Sequence, residues 1–149
     1  MNELTDAREA MVEIYCKQLK LPGLKQHFKE LARDASDQNQ TPTAFLAACL
    51  AKELELRAQR QLNTRLRQAR FHEVKTIDNF DFTSIPKLPK TKVISLVDGN
   101  VIKDRENIIC VGQSGTGKTH IATAIGVAAI QQGFKVRFIK VYDLVQELL

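Results

Sequence analysis

A chain of 149 residues has room for one domain, or for a small domain and part of a second. Its hydrophobic content of 44% is that of an ordinary globular protein, and it holds no apolar run of about 18 residues, which excludes a membrane-spanning helix. The formal net charge of +5 is mildly basic and decides little until its distribution along the chain is considered.

The opening residues MNELTDAREA lack the charged and apolar regions of a signal peptide, so a cytoplasmic location is expected. From about residue 5 to 19, Ala7, Ala10, Met11, Ile14 and Leu19 recur at helical spacing. Pro22-Gly23 interrupts the pattern, and a second helix is predicted from about 23 to 36 with Leu24, Phe28, Leu31, Ala32 and Ala35 on one face. Thr41-Pro42 is a helix start, a capping residue followed by proline at the first helical position. From there to about Arg70 neither Gly nor Pro intervenes, which predicts one long helix. Its second half carries Arg57, Arg60, Arg65, Arg67 and Arg70 and no acid. Such a stripe suits a polyanion such as DNA, and it equally suits a solvated helix face.

Residues 71–92 read as a connector holding Pro86 and Pro89. Its Phe80 and Phe82 offer aromatic faces to an adenine base, against the alternative of packing the connector onto the core. A short helix is predicted over about 90–103, weakened by Gly99. The pattern then changes. Residues 107–111 (NIICV) read as a buried strand, 118–132 as a helix closed by Gly133, 135–141 (KVRFIKV) as a second strand, and 142–149 as a further helix. Strand, loop, helix and strand make a βαβ unit. The fold expected is therefore α/β. A helical N-terminal domain occupies 1–75, and a linker with a short helix occupies 76–105. Residues 106–149 form the first βαβ part of a P-loop NTPase doubly wound parallel sheet. Cys16, Cys49 and Cys110 lie far apart without zinc spacing, and small buried core residues are expected at all three.

The chemistry sits between the two expected strands. Gly112-Gln113-Ser114-Gly115-Thr116-Gly117-Lys118-Thr119 fits G-x-x-x-x-G-K-[ST] in full. Glycines let the backbone fold around an anion with its N–H groups turned inward, and the helix that follows aims its positive end at the same point. Lys118 is expected to reach the β- and γ-phosphates of ATP, and the Thr119 hydroxyl to ligate Mg²⁺. His120 adjoins the motif and is counted with it among the cofactor-binding residues, while local packing at the helix start is expected rather than a catalytic or metal role. After Thr119 the only acids are Asp143 and Glu147, one helical turn apart in the final helix, where a solvated face is expected. No strand ending in an acid follows, so the chain reads as truncated, equipped for binding and not for hydrolysis.

These motifs together resemble the N-terminal half of the IstB-type helper ATPases of insertion-sequence transposition, relatives of the DnaC-type helicase loaders in the AAA+ class. The resemblance is carried by Leu19-Lys20-Leu21-Pro22-Gly23-Leu24, by Phe45-Leu46 and the Glu53 to Arg70 block closing on Phe71, by Asp78-Asn79-Phe80-Asp81-Phe82, by Gly112 to Ala122 with His120, and by Asp143-Leu144-Val145. It departs at Gln113-Ser114, where the family usually has Pro-Pro or a similar pair. The resemblance implies a helical domain joined to an AAA+ ATPase domain, self-assembly on duplex DNA in the ATP-bound state, and delivery of a target site to a cognate transposase. Two rivals stand beside it. One is a helicase loader in DNA replication, and the other a non-enzymatic helical DNA- or protein-binding module with an inert P-loop.

Overall fold

The computed structural model describes residues 2–149, with side-chain surroundings from Asp6 onward. Seven α-helices follow one another among the described residues: α1 (Asn2–Gln18), α2 (Pro22–Asp37), α3 (Pro42–Ala69), α4 (Lys90–Val97), α5 (Asn100–Lys103), α6 (Lys118–Gln131) and α7 (Val141–Leu148), with a 3₁₀ turn at Ile77–Asn79. The chain divides into two compact units, Met1–Gln61 and Leu62–Leu149, and α3 contributes residues to both.

In the first unit, α1 and α2 pack with Phe28 buried, and Lys29 reaches Glu9 at 3.0 Å and Glu13 at 3.2 Å. The Thr41 hydroxyl accepts the Ala44 N–H at 3.2 Å, the cap that the Thr-Pro pair predicts for α3. Cys16 and Cys49 are buried, and burial pushes both thiols up, as expected of core residues.

The start of α2 is capped from outside. Leu21 at its N-cap has no side-chain hydrogen bond to offer. Glu53, buried at 3% exposure, supplies the acceptor instead, taking the Leu24 N–H at 2.8 Å. Pro22 fits the first helical turn, where its missing N–H costs nothing. Gly23 leaves room for this contact, because a Cβ there would stand 2.8 Å from Glu53 Oε2 and 2.9 Å from Leu56 Cδ1 and would displace both side-chain ends. The Leu-Pro-Gly-Leu run is thus the seat of a buried carboxylate.

In the second unit α6 is the centre. Ile121 and the whole run from Thr123 to Ile130 are buried. Phe80, Val93, Ile121 and Ile125 form a core, with Ile77, Phe82, Ile85, Leu88, Leu96 and Val97 against it. The helix expected over 90–103 is broken at Gly99, whose φ of +78° ends α4 and starts α5.

The expected βαβ sheet is not formed: among the described residues there is no strand. Alternating and apolar patterns specify extended backbone and sidedness, but a strand exists only where a neighbouring strand takes its N–H and C=O groups. Residues 135–140 keep the sidedness, with Val136 and Phe138 half-buried and Lys135 and Arg137 exposed. The Phe138 N–H donates to the Ala69 carbonyl at the end of α3, at 2.8 Å, and the Lys140 carbonyl accepts the Leu144 N–H of α7. Residues 107–111 have no ladder either. Ile109 and Val111 are 82% and 90% exposed, and Cys110 is exposed rather than buried. The α/β expectation is corrected to a helical arrangement in which, among the described residues, 107–111 and 135–140 lie outside any helix or strand.

Candidate functional site

The glycine-rich loop emerges from the exposed 107–111 segment and runs into α6. Two of its glycines, Gly115 and Gly117, have φ of +81° and +73°, in the left-handed region that side chains disfavour. Around Gly115 a Cβ would meet nothing within 4 Å, so the loop's outer edge is open. At Gly117 a Cβ would stand 2.6 Å from the Phe80 ring, so this glycine also lets the connector close onto the loop. Thr116 Oγ1 donates to the Gln113 carbonyl at 2.8 Å and fixes the turn from inside.

Lys118 opens α6, and its Nζ donates to the Gln113 carbonyl at 2.6 Å, so the ammonium lies across the loop. The first recorded main-chain bond of α6 runs from Ile121 N–H to the Gly117 carbonyl at 3.0 Å. The N–H groups of Lys118, Thr119 and His120 are therefore the orphan donors of the helix start. Ser114 to His120 and Lys75 line a concavity of about 370 Å³.

His120 borders this concavity and is tied to the connector. Its Nε2 lies 2.9 Å from the Thr76 carbonyl, so that nitrogen carries the proton and donates. The ring meets Phe80 edge-on, with centroids 5.1 Å apart. Phe80 is buried in the core, and Phe82 packs on it at 4.8 Å with Lys90 over its face. The aromatic pair thus packs the connector onto the core. Beside it Asp81 accepts from the Ser84 and Thr83 hydroxyls and the Thr83 N–H, which hold its carboxyl down at about 2.

The five arginines do not share one environment. Arg57 Nε donates to Glu53 Oε1 at 2.7 Å, and its Nη2 donates to the Lys20 carbonyl at 2.7 Å. Burial pushes the Glu53 carboxyl up, but the Leu24 and Gly23 N–H groups and Arg57 outweigh it and hold the carboxyl below its ordinary value. Arg65 is half-buried, near Gly133. Arg70 sits just past α3 with φ of +58°. Arg60 and Arg67, two helical turns apart on α3, are exposed. Of the final acids, Glu147 pairs with Arg137. Sequence reasoning missed Lys75 and Thr76, because a lysine and a threonine in a basic connector carry no spacing that points at a loop forty residues on.

Comparison with known proteins agrees with the family resemblance. Residues 14–149 match the family described as IstB-like ATP binding protein. A protein named for ATP binding in insertion sequence IS5376 of Geobacillus stearothermophilus is 36% identical over 134 residues, covering 90% of this chain and 53% of its own length. Its counterpart in insertion sequence IS21 of Pseudomonas aeruginosa is 35% identical over 138 residues, covering 93% and 52%. The IS232 counterpart in Bacillus thuringiensis subsp. berliner is 31% identical over 130 residues, covering 87% and 52%. The chain spans about half the length of the curated relatives it matches. Among the described residues no helix is long and apolar enough to cross a membrane. The chain belongs to the IstB-like ATP-binding family of insertion sequences.

Proposed function

We propose that the chain binds ATP with Mg²⁺ through Gly112 to Thr119 and serves as a transposition helper at duplex DNA. The observation that carries the nucleotide part is the position of Lys118, whose ammonium lies over the loop at the start of α6 beside the orphan N–H groups. A triphosphate fits this place by charge and by space. The loop's open edge at Gly115 accepts oxygens close to the backbone, and exchange of the Gln113 carbonyl for a phosphate gives Lys118 a charge-assisted bond. Thr119 would hold Mg²⁺, which when bound neutralises charge between the β- and γ-phosphates. Titration of ATP with and without Mg²⁺ tests this. Lys118→Ala should weaken binding by about 1.5–3 kcal/mol, and Thr119→Ala should remove mainly the Mg²⁺-dependent part. Equal affinity of the parent and Lys118→Ala would defeat the reading.

The DNA, transposase and self-assembly parts rest on the relatives' insertion-sequence names and on Arg60 and Arg67, exposed on α3. Duplex binding should be steeply salt-dependent and largely sequence-independent. Arg60→Gln with Arg67→Gln should lower affinity and flatten the salt slope in a gel-shift series. An unchanged slope would reduce these arginines to a solvated face.

A further inference from the structure

Lys75 borders the same concavity as the glycine-rich loop, although it comes from the connector. Its neighbourhood is fixed against the loop at two points. The Thr76 carbonyl takes the His120 Nε2 proton at 2.9 Å, and Phe80 closes on Gly117. The backbone on the C-terminal side of Lys75 therefore has little freedom to carry it away. Lys75 Nζ rests 3.0 Å from Glu73 Oε2, while Lys118 Nζ rests on the Gln113 carbonyl. Two lysines from distant segments thus border one concavity, and the ammonium of each rests on an oxygen that a ligand can replace. Glu73 is 71% exposed on its side chain, so its pair with Lys75 is a surface pair of small net worth. A polyphosphate presents several charged oxygens at once and competes well against a single solvated carboxylate.

We propose that Lys75 is a second phosphate-binding residue of the nucleotide site, handed from Glu73 to the polyphosphate when ligand enters. The proposal rests on the reading of Gly112 to Thr119 as a nucleotide site and adds the connector to it. Glu73 then opposes binding twice, by holding Lys75 and by repelling phosphate. A ligand with more phosphate charge draws more from the second cation, so the site favours polyphosphates over a free nucleoside.

The test titrates ATP and inorganic tripolyphosphate against the full chain, Lys75→Gln, Lys75→Arg, Glu73→Gln and Lys118→Ala, with helix content followed by circular dichroism. Lys75→Gln should weaken both ligands by about tenfold, Lys75→Arg should recover most of that loss, and Glu73→Gln should tighten both a few-fold. If Lys75→Gln binds both ligands as the parent does while Lys118→Ala loses them, Lys75 has no such role and the loop reading stands. A loss for ATP alone, with tripolyphosphate unaffected, places Lys75 at the nucleoside end and overturns the phosphate assignment. If Lys75→Gln loses its helix signal, Glu73→Gln decides: unchanged or weaker binding there overturns the proposal. A parent that binds neither ligand, or a Lys118→Ala variant that matches the parent, removes the loop reading and this inference together.

Discussion

The unit Met1–Gln61 is made of helices whose backbone bonds close within each segment. The unit Leu62–Leu149 alternates helices with irregular segments whose backbone groups must be satisfied elsewhere. Helical periodicity therefore placed the first unit's elements to within a few residues. In the second unit it placed α6 and α7 equally well, and the strands not at all. The cores differ too. The first unit buries little beyond Cys16, Phe28, Cys49 and Glu53 among its described residues, and leaves Met11, Ile14, Tyr15, Leu46, Leu50 and Leu54 about half exposed or more. The second wraps one helix almost completely. A fold can thus be legible because it is local, or stable because it is buried, and the two properties separate here.

The sharpest way to break this contrast is to cut each core. Ile130, 1% exposed, has little room to collapse after truncation, so Ile130→Ala should cost about 2–5 kcal/mol in a denaturant series. Leu50→Ala, at 49% exposure in the other unit, should cost well under half as much. Comparable losses would mean that the first unit's apolar surface is buried in solution.

A smaller effect sharpens the account of the first unit. Glu53→Gln leaves Arg57 without its carboxylate and weakens the cap on α2, which should cost about 1.5–3 kcal/mol. The folded carboxyl titrates below its unfolded value, so its contribution is fully present above the ordinary carboxylate range and is lost as pH falls through the lowered folded value. The parent should lose stability on acidification by a step that Glu53→Gln lacks. Arg57→Gln should likewise act on stability, leaving the salt slope of any DNA binding less affected than the Arg60 and Arg67 pair does. If Arg57→Gln flattens that slope as strongly with stability unchanged, the ion pair does not hold in solution.

The smallest effect concerns a feature visible in sequence alone. Thr41→Ala removes one accepted N–H at the start of α3 and should cost about 1 kcal/mol by thermal melting. A null result would show that Pro42 and packing start that helix without the cap.

The sequence by itself determined the longer helices, the Thr41 cap and the glycine-rich loop with Lys118 at the head of α6. Each depends on residues within about four positions of one another, because helical hydrogen bonds and turn geometry reach no further. What the sequence misread or left open, the tertiary structure decided. It set residues 135–140 against Ala69 rather than in a sheet, put Cys110 on the surface, and paired Arg57 with Glu53. It also brought Lys75 to the rim of a loop that begins 37 positions later. Extended backbone must find its hydrogen-bond partners, and charged side chains their counter-charges, at long sequence separation, where no spacing rule names the partner in advance.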